Sequence, residues 1–195
     1  MKESDLLWKR VSTRPGPDLK LFQARWDAME HPVSGWVMDR LVLESVDWVN
    51  LVAITPAGES VMVRQYRFGV GYPTLETPGG MVDAGEDALT AARRELEEET
   101  GFTGNDWRYL GAVEPNPAFH NHLCHHWLAV GVERTAAQQP GAGEQIRVEL
   151  LTEAEVRRAV QDGTIRHALA LSALARVFDL WPRPFVQSWP AVKIF

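Results

Sequence analysis

The stretch from Asp83 to Thr100 is where the hydrophobic period of this chain changes, and that change limits what the rest can fold into. Ahead of it, Trp36–Val46 and Trp48–Thr55 are rich in Val, Leu and Trp, and Ser60–Arg67 alternates, so these segments read as strands; Leu19–Trp26 is mixed polar and apolar. Pro56-Ala57-Gly58-Glu59 joins the second and third runs as a turn, which predicts a hairpin. A Gly- and Pro-rich loop is expected over residues 69–80. From Asp83 onward Ala, Leu and Glu dominate, which is helical composition. Asp83 with Glu86 three residues later reads as a capping box, and Gly101 stands where a left-handed C-cap belongs. Trp107–Val113, Leu123–Val132 and Ile146–Leu151 then read as strands, separated by loops at 114–121 and 136–143. Helices follow at Thr152–Gln161, boxed by Thr152 and Glu155, and at roughly 164–180. Strands, one helix, more strands and closing helices predict an α/β protein with a mixed sheet covered by helices.

The chain has 195 residues, enough for one domain and a small appendage. Hydrophobic residues at 45% and charged residues at 24% exclude a disordered or fibrous chain. Twenty Lys and Arg against 26 Asp and Glu give a net charge of −6. No broad basic field is therefore available for nucleic acid or an acidic membrane, and an anionic substrate would need local neutralisation, most simply by a metal ion. A single cysteine, Cys124, excludes an internal disulfide and suits a reducing compartment. The polar start Met1–Asp5 has no apolar segment behind it, and the most apolar run, 168–175, is too short to span a bilayer. A cytoplasmic protein is expected.

Glu95, Glu98 and Glu99 stand at i, i+3 and i+4, so they share one helical face, while Glu97 points away and Leu89, Ala92 and Leu96 form a neighbouring apolar stripe. Like charges so placed repel, and Arg94 alone cannot balance three anions. Taken alone the three read first as a solvated Glu-rich face. A hard divalent cation such as Mg²⁺ gives them a second reading. Gly79-Gly80, just ahead of the helix, is where backbone can approach a ligand closely.

The string Gly80, five residues, Glu86, seven residues, Arg94-Glu95-Leu96-Glu97-Glu98-Glu99-Thr100-Gly101-Phe102 resembles the Nudix box without a departure. Chance agreement at its type-fixed positions is on the order of one in 10⁸ from average composition. The resemblance implies the Nudix fold, an α/β/α sandwich, and Mg²⁺-dependent hydrolysis, with Mn²⁺ as a substitute, of a nucleoside diphosphate linked to another moiety. It implies that Glu95, Glu98 and Glu99 bind metal together with the Gly79 carbonyl, and that Arg94 orients a glutamate.

Outside the box, Arg64-Gln65-Tyr66-Arg67 and Leu75-Glu76-Thr77-Pro78-Gly79-Gly80 look like the ADP-ribose and nucleotide-sugar pyrophosphatases of that family. Arg64 and Arg67 become candidates for the substrate phosphates, and Glu76 for pairing with Arg67 or assisting the metal. Pro117 matches a proline of that subclass past the box, and its neighbour Asn116 either contacts ligand or makes the turn. The loop ahead of Ile146 carries a single acid, Glu144, so the catalytic base is Glu144, a box glutamate or metal-bound hydroxide. Trp36 or Trp48 is the candidate for stacking on a base. His122, Cys124 and His126 would share one strand face, but three residues in line on a strand rarely close a tetrahedral zinc shell; these histidines are expected to face the phosphate cleft or a subunit interface. Three segments are expected: an N-terminal β extension over 1–45 that dimerises, a hydrolase domain over 46–181 containing the box at 80–102, and an extended tail over 182–195. A homodimer acting on a nucleoside diphosphate derivative, without nucleic acid or membrane partners, is the expectation. Other nucleotides, coenzyme A, or a non-catalytic ligand sensor of the same fold are the alternatives.

Overall fold

The computed structural model describes residues 2–181, and the 182–195 tail lies outside the described residues. The described chain forms two units: residues 2–46 with Glu114–Leu123, and residues 47–113 with 124–181. The loop predicted at 114–121 thus belongs with the N-terminal unit.

In the first unit a short 3-10 turn, Glu3–Leu6, precedes β1 (Lys9–Asp18), β2 (Gln23–Glu30) and β3 (Val37–Glu44). They form an antiparallel sheet in the order β1-β2-β3. Strand β1 has no hydrophobic alternation and contains Pro15, Gly16 and Pro17. Those residues are tolerable because β1 is an edge strand, where missing donors cost little. Leu19–Trp26 divides into a tight turn at Lys20, with φ 67°, and the start of β2. Asp27 on β2 is buried, held by the Thr13 hydroxyl at 2.7 Å and Arg25 Nε at 3.2 Å. The Thr13 and Arg25 hydrogen bonds and the Arg25 and Arg10 charges keep its carboxyl below the ordinary range against the opposing effect of burial.

In the second unit the elements run β4 (Trp48–Ile54), β5 (Glu59–Arg67), β6 (Tyr72–Glu76), β7 (Gly79–Met81), α1 (Ala88–Thr100), β8 (Phe102–Thr103), β9 (Asp106–Val113), β10 (Cys124–Val130), β11 (Glu133–Arg134), β12 (Ile146–Thr152), α2 (Glu153–Gln161) and α3 (Ala168–Leu174). The main sheet has the order β12-β5-β4-β10-β9, with β6 on β5 and β7 on β4; β8 and β11 form a separate pair. β4 and β10 run parallel and the other pairs antiparallel, so the sheet is mixed as expected. Alternation along the strands builds two cores. Val49, Leu51, Ala53 and Val61 meet Ala91, Ala92 and Leu96 of α1 on one face. Val52, Met62 and Leu75 meet Val156 and Val160 of α2 and Ala170 and Leu174 of α3 on the other. The result is an α/β/α sandwich. No helix among the described residues is long and apolar enough to cross a membrane.

Four local expectations need correcting. The β4–β5 hairpin pairs only at Ile54 and Ser60; beyond the turn the strands part. β6 and β7 occupy that divergence, so residues 69–80 hold two short strands rather than one loop. Helix α1 starts at Ala88, not Asp83, because Asp87 Oδ1 caps the Leu89 and Thr90 amides at 2.9 and 3.1 Å while Asp83 and Glu86 close a separate turn. The last helix is confined to Ala168–Leu174. The other caps form where expected: Thr152 and Glu155 make a reciprocal box, and Gly101 has φ 74° with its amide on the Glu97 carbonyl at 2.8 Å.

A Cβ at Gly101 would strike the Ala136 carbonyl as well as strain the left-handed backbone. Gly101→Ala should therefore lower stability by about 1–3 kcal/mol. Urea denaturation checks this; an unchanged midpoint and slope would mean the cap is not under constraint.

Candidate active site

The C-terminal half of α1 carries Glu95, Glu98 and Glu99 toward the Thr77–Met81 segment. Asn50, buried on β4, fixes that segment. Its side-chain carbonyl accepts from the Thr77 hydroxyl at 2.6 Å, and its amide donates to the Thr77 and Pro78 carbonyls at 3.3 Å. The Leu51 amide also donates to Pro78 O at 3.0 Å. The backbone requires glycine at the first following position, and at the second a side chain would displace Glu95. A Cβ on Gly79 would strike the Val49 carbonyl, and one on Gly80 would strike the Glu95 carboxylate.

Glu99 is only 4% exposed. Its Oε2 accepts the Gly79 amide at 3.0 Å, and Gln65 Nε2 lies 3.5 Å from its Oε1. Burial pushes its carboxyl up to about 8; the Gly79 amide opposes the shift and the Glu95 charge adds to it. Burial also raises Glu95, against the pull of Arg94. Arg94 fans out over its neighbours. Nε and Nη2 take the two oxygens of Glu86 at 3.1 and 3.0 Å, and Nη2 also donates to the Met81 carbonyl at 2.9 Å. Nη1 donates to Glu95 at 2.7 Å and Glu98 at 3.2 Å. Glu97 is exposed on the far side of the helix.

Arg67 on β5 meets Glu76 on β6 as a bidentate pair, Nε–Oε1 3.0 Å and Nη2–Oε2 2.7 Å. The Thr74 hydroxyl also bonds Glu76, which is 1% exposed. Burial works to raise the Glu76 carboxyl, but Arg67, His167 and Thr74 together hold it below its usual range. The charge of Glu99 is felt at Arg67, so this pair borders the glutamate cluster. Glu144 is exposed, with its Oε2 on the Gly141 amide at 2.9 Å. Its charge reaches Glu95, Glu99 and Arg67. Its loop is tied to the end of α1: the Gln139 amide donates to Glu98 O at 2.8 Å, and Gln138 Nε2 to Glu99 O at 2.6 Å.

The structure thus gathers Gly79, Glu95, Glu98, Glu99, Arg94, Arg67, Glu76 and Glu144. It does not bring Arg64 there. Arg64 lies on the opposite face of β5, paired with Glu149 at 2.7 Å. The signal was in the spacing, because residues three apart on a strand face opposite ways. Trp48 is half-buried in the central strand, across from Cys124 and Met81. Asn116 belongs to the first unit, where its carbonyl accepts the Phe119 and His120 amides at 3.2 and 2.9 Å and closes a turn. In that unit Trp8, with Arg40 over its ring at 5.7 Å, lines a cavity of about 410 Å³ with Asp27, Met29, Leu41 and Pro117; Trp36 is largely exposed. Asn50, Gln65 and Gln138 escaped the sequence reading because their roles depend on pairing between distant segments.

The histidines of the 120–126 cluster divide between the two units: His120 and His122 belong to the first, with ring centroids 5.1 Å apart, and His125 and His126 to the second. β10 starts only at Cys124, whose thiol burial pushes up to about 12. His126 is buried beneath α3 with Nε2 3.0 Å from the Ser172 hydroxyl, and burial lowers it to about 4. His125 faces the other way, between Tyr109 at 2.9 Å and Asp47 at 3.2 Å.

Among the described residues no three His, Cys, Asp or Glu side chains lie close enough, as they stand, to enclose a metal ion. Glu95 and Glu98 are turned onto Arg94, and Glu99 onto Gly79. The donor set nonetheless fits a hard divalent cation. It offers three carboxylates, of which Glu99 is buried, Glu95 is half-buried and both are disfavoured as anions, beside a backbone that lacks any Cβ at Gly79 and Gly80.

Residues 47–172 match the model of the NUDIX domain. Over 176 residues, 87% of this chain and 84% of the relative, the sequence is 30% identical to the ADP-ribose pyrophosphatase of Mycobacterium tuberculosis. It is 33% identical over 108 residues, 55% of this chain and 58% of the relative, to the methanol dehydrogenase activator of Bacillus methanolicus. A crystal structure of an ADP compounds hydrolase superposes with a TM-score of 0.76 at 22% identity, covering 87% of this chain and 91% of that one, which is a likeness of fold. The chain belongs to the Nudix family, as a hydrolase of the pyrophosphatase kind.

The raised carboxyl of Glu99 has a stability consequence. A group protonated more readily when folded contributes stability that is complete below its unfolded value, near 4.5, and is lost as pH rises toward about 8. In chelator, wild-type melting temperature should fall from pH 5 to pH 8, and Glu99→Gln should flatten that fall and be the more stable protein at pH 8. Parallel profiles for the two proteins would overturn the burial assignment.

Proposed function

We propose that the protein hydrolyses the pyrophosphate bond of ADP-ribose or a nucleoside diphosphate sugar, releasing a nucleoside monophosphate and a sugar phosphate, with Mg²⁺ and with Mn²⁺ as substitute. The observation that carries this reading is the pairing of a glutamate cluster suited to a hard cation with one guanidinium, Arg67, held at its border by a buried carboxylate. The similarity to a protein named ADP-ribose pyrophosphatase over most of both chains supports the same substrate class.

Glu95, Glu98, Glu99 and the Gly79 carbonyl would hold the cation, whose chemistry there is to neutralise the pyrophosphate and make water a better acid. The remaining work belongs to the chain. Arg94 keeps Glu95 and Glu98 on one side of the helix. Arg67 turns its remaining N–H groups to the substrate phosphate, preorganised by Glu76. Glu144, on a loop anchored to α1, is the residue to which we assign the role of base toward the attacking water. A bridged diphosphate carries less charge than a triphosphate, which suits a site whose border offers Arg67 as its substrate-facing cation. We place the enzyme in the cytoplasm as a homodimer joined through its N-terminal unit, on which Leu7, Val11, Leu21 and Trp36 are exposed.

Chelation should abolish turnover, and Mg²⁺ or Mn²⁺ should restore it. Glu98→Gln and Glu99→Gln should each lower kcat by about 100-fold or more in folded protein, while Glu97→Gln stays near wild type. Near-normal turnover by Glu99→Gln at saturating Mg²⁺ would remove it from the metal site. Metal affinity should rise with pH between 6 and 8, since binding displaces the Glu99 proton; titration calorimetry reads this directly.

Arg67→Ala should reduce kcat/KM for ADP-ribose by about 1–3 kcal/mol in transition-state terms. A nucleoside triphosphate hydrolysed with kcat/KM tenfold above ADP-ribose and every nucleotide sugar would sink the substrate choice and leave the family assignment standing.

A further inference from the structure

His167 sits at the N-cap of α3, a position that favours Ser, Thr, Asp or Asn, and its side chain makes no capping bond. A local preference broken without local gain points to a role elsewhere. The ring turns to Glu76 instead, with Nδ1 3.5 Å from Oε2. Nδ1 is shut off from solvent and forms no hydrogen bond as it stands; the Glu76 Oε2 that it faces lies 3.5 Å away. Oε2 is also the oxygen that takes Arg67 Nη2 at 2.7 Å. Nε and Nη2 of Arg67 are engaged by Glu76, which leaves Nη1 and its two protons for a ligand. The charges around His167 are Glu76 and Arg67, and Arg166 next to it in sequence lies over the Tyr72 ring at 5.6 Å.

We propose that His167 is a positioning residue of the pyrophosphatase: it fixes the Glu76 carboxylate from the α3 side, so that Glu76 presents Arg67 to the substrate phosphate in one orientation. Arg67 arrives from β5, Glu76 from β6 and His167 from the start of α3. The Thr74 hydroxyl holds Oε1, but it and Arg67 both come from the paired strands β5 and β6. His167 adds a second neighbour at Oε2 from outside those strands, which limits rotation of the carboxylate. The cost of a loose Arg67 falls on substrate capture more than on the chemical step, because Arg67 does not touch the water or the cation ligands.

The inference rests on the proposed role of Arg67, and the test separates the two. His167→Ser and His167→Asn both supply a good N-cap, so both keep or raise the melting temperature. Only Asn keeps an N–H donor near the Nδ1 position. His167→Ser should raise KM for ADP-ribose about 5- to 20-fold with kcat within about twofold, and His167→Asn should recover most of that loss. In an Arg67→Ala background, His167→Ser should change KM less than twofold, since there is no guanidinium left to position. Wild-type turnover of ADP-ribose with an unchanged KM in His167→Ser overturns the positioning role alone. Equal KM losses in the Ser and Asn variants overturn the donor assignment. An Arg67→Ala protein with wild-type KM overturns the reading on which the proposal stands.

Discussion

One guanidinium, Arg94, has the carboxylates of Glu86, Glu95 and Glu98 and the carbonyl of Met81 converging on it. It ties the turn before α1 to the last turns of α1, and it is the direct counter-charge to two of the three glutamates on that face. Arginine alone among side chains offers five donors in a rigid plane, so no lysine could hold these groups at once. The Glu86 hydrogen bonds do most to hold its charge, raising an already high pKa further. The glutamate face is therefore only partly compensated by one internal cation, which leaves a charge deficit of the kind a hard divalent ion would fill.

Glu99 shows how that shortfall is built in. It lies where a leucine would pack well, deep beside Gly79 and Gln65, and burial makes its charged form costly. Its partner, a backbone amide, compensates only part of the lost hydration. The protein accepts this unfavourable burial because a carboxylate held by backbone cannot drift, and the cradle at Gly79 and Gly80 brings main chain within reach of the same point. Asn50 carries the arrangement back into the central strand, so the rigidity of the two cores is passed to the site.

The helix that bears the site was legible in the sequence because its signals are local. The i, i+3, i+4 spacing of Glu95, Glu98 and Glu99 and the Gly at 101 need no partner to be read. The sequence puts its start too early because Asp83 and Glu86 bond in the way a capping box does, while Asp87, immediately before Ala88, forms the real cap. β6 and β7 were hidden because their glycines and prolines read as loop, and only the divergence of β4 from β5 creates edges for them. β1 was invisible for a different reason: an edge strand exposed along its length has no core to impose alternation. Arg64 was assigned to the site by resemblance when its spacing from Arg67 already placed it on the other face, where Glu149 takes it.

An acidic chain handling an acidic substrate has to separate binding charge from bulk charge. Here Glu76, Glu86, Glu95, Glu98, Glu99 and Glu144 stand around two guanidiniums, Arg67 and Arg94, so the site is negative before any ion binds. Such a field repels a free diphosphate and attracts a cation, so under the proposed function a cation would bind before or with the substrate. On that reading Arg67 would meet the phosphate with N–H donors left free by Glu76, which neutralises its charge at one edge. The separation of the two arginines follows from the sequence positions that carry them. Arg94 is on the helix with the cluster and stabilises the protein without metal. Arg67 is on a strand at its border, where Glu76 orients it.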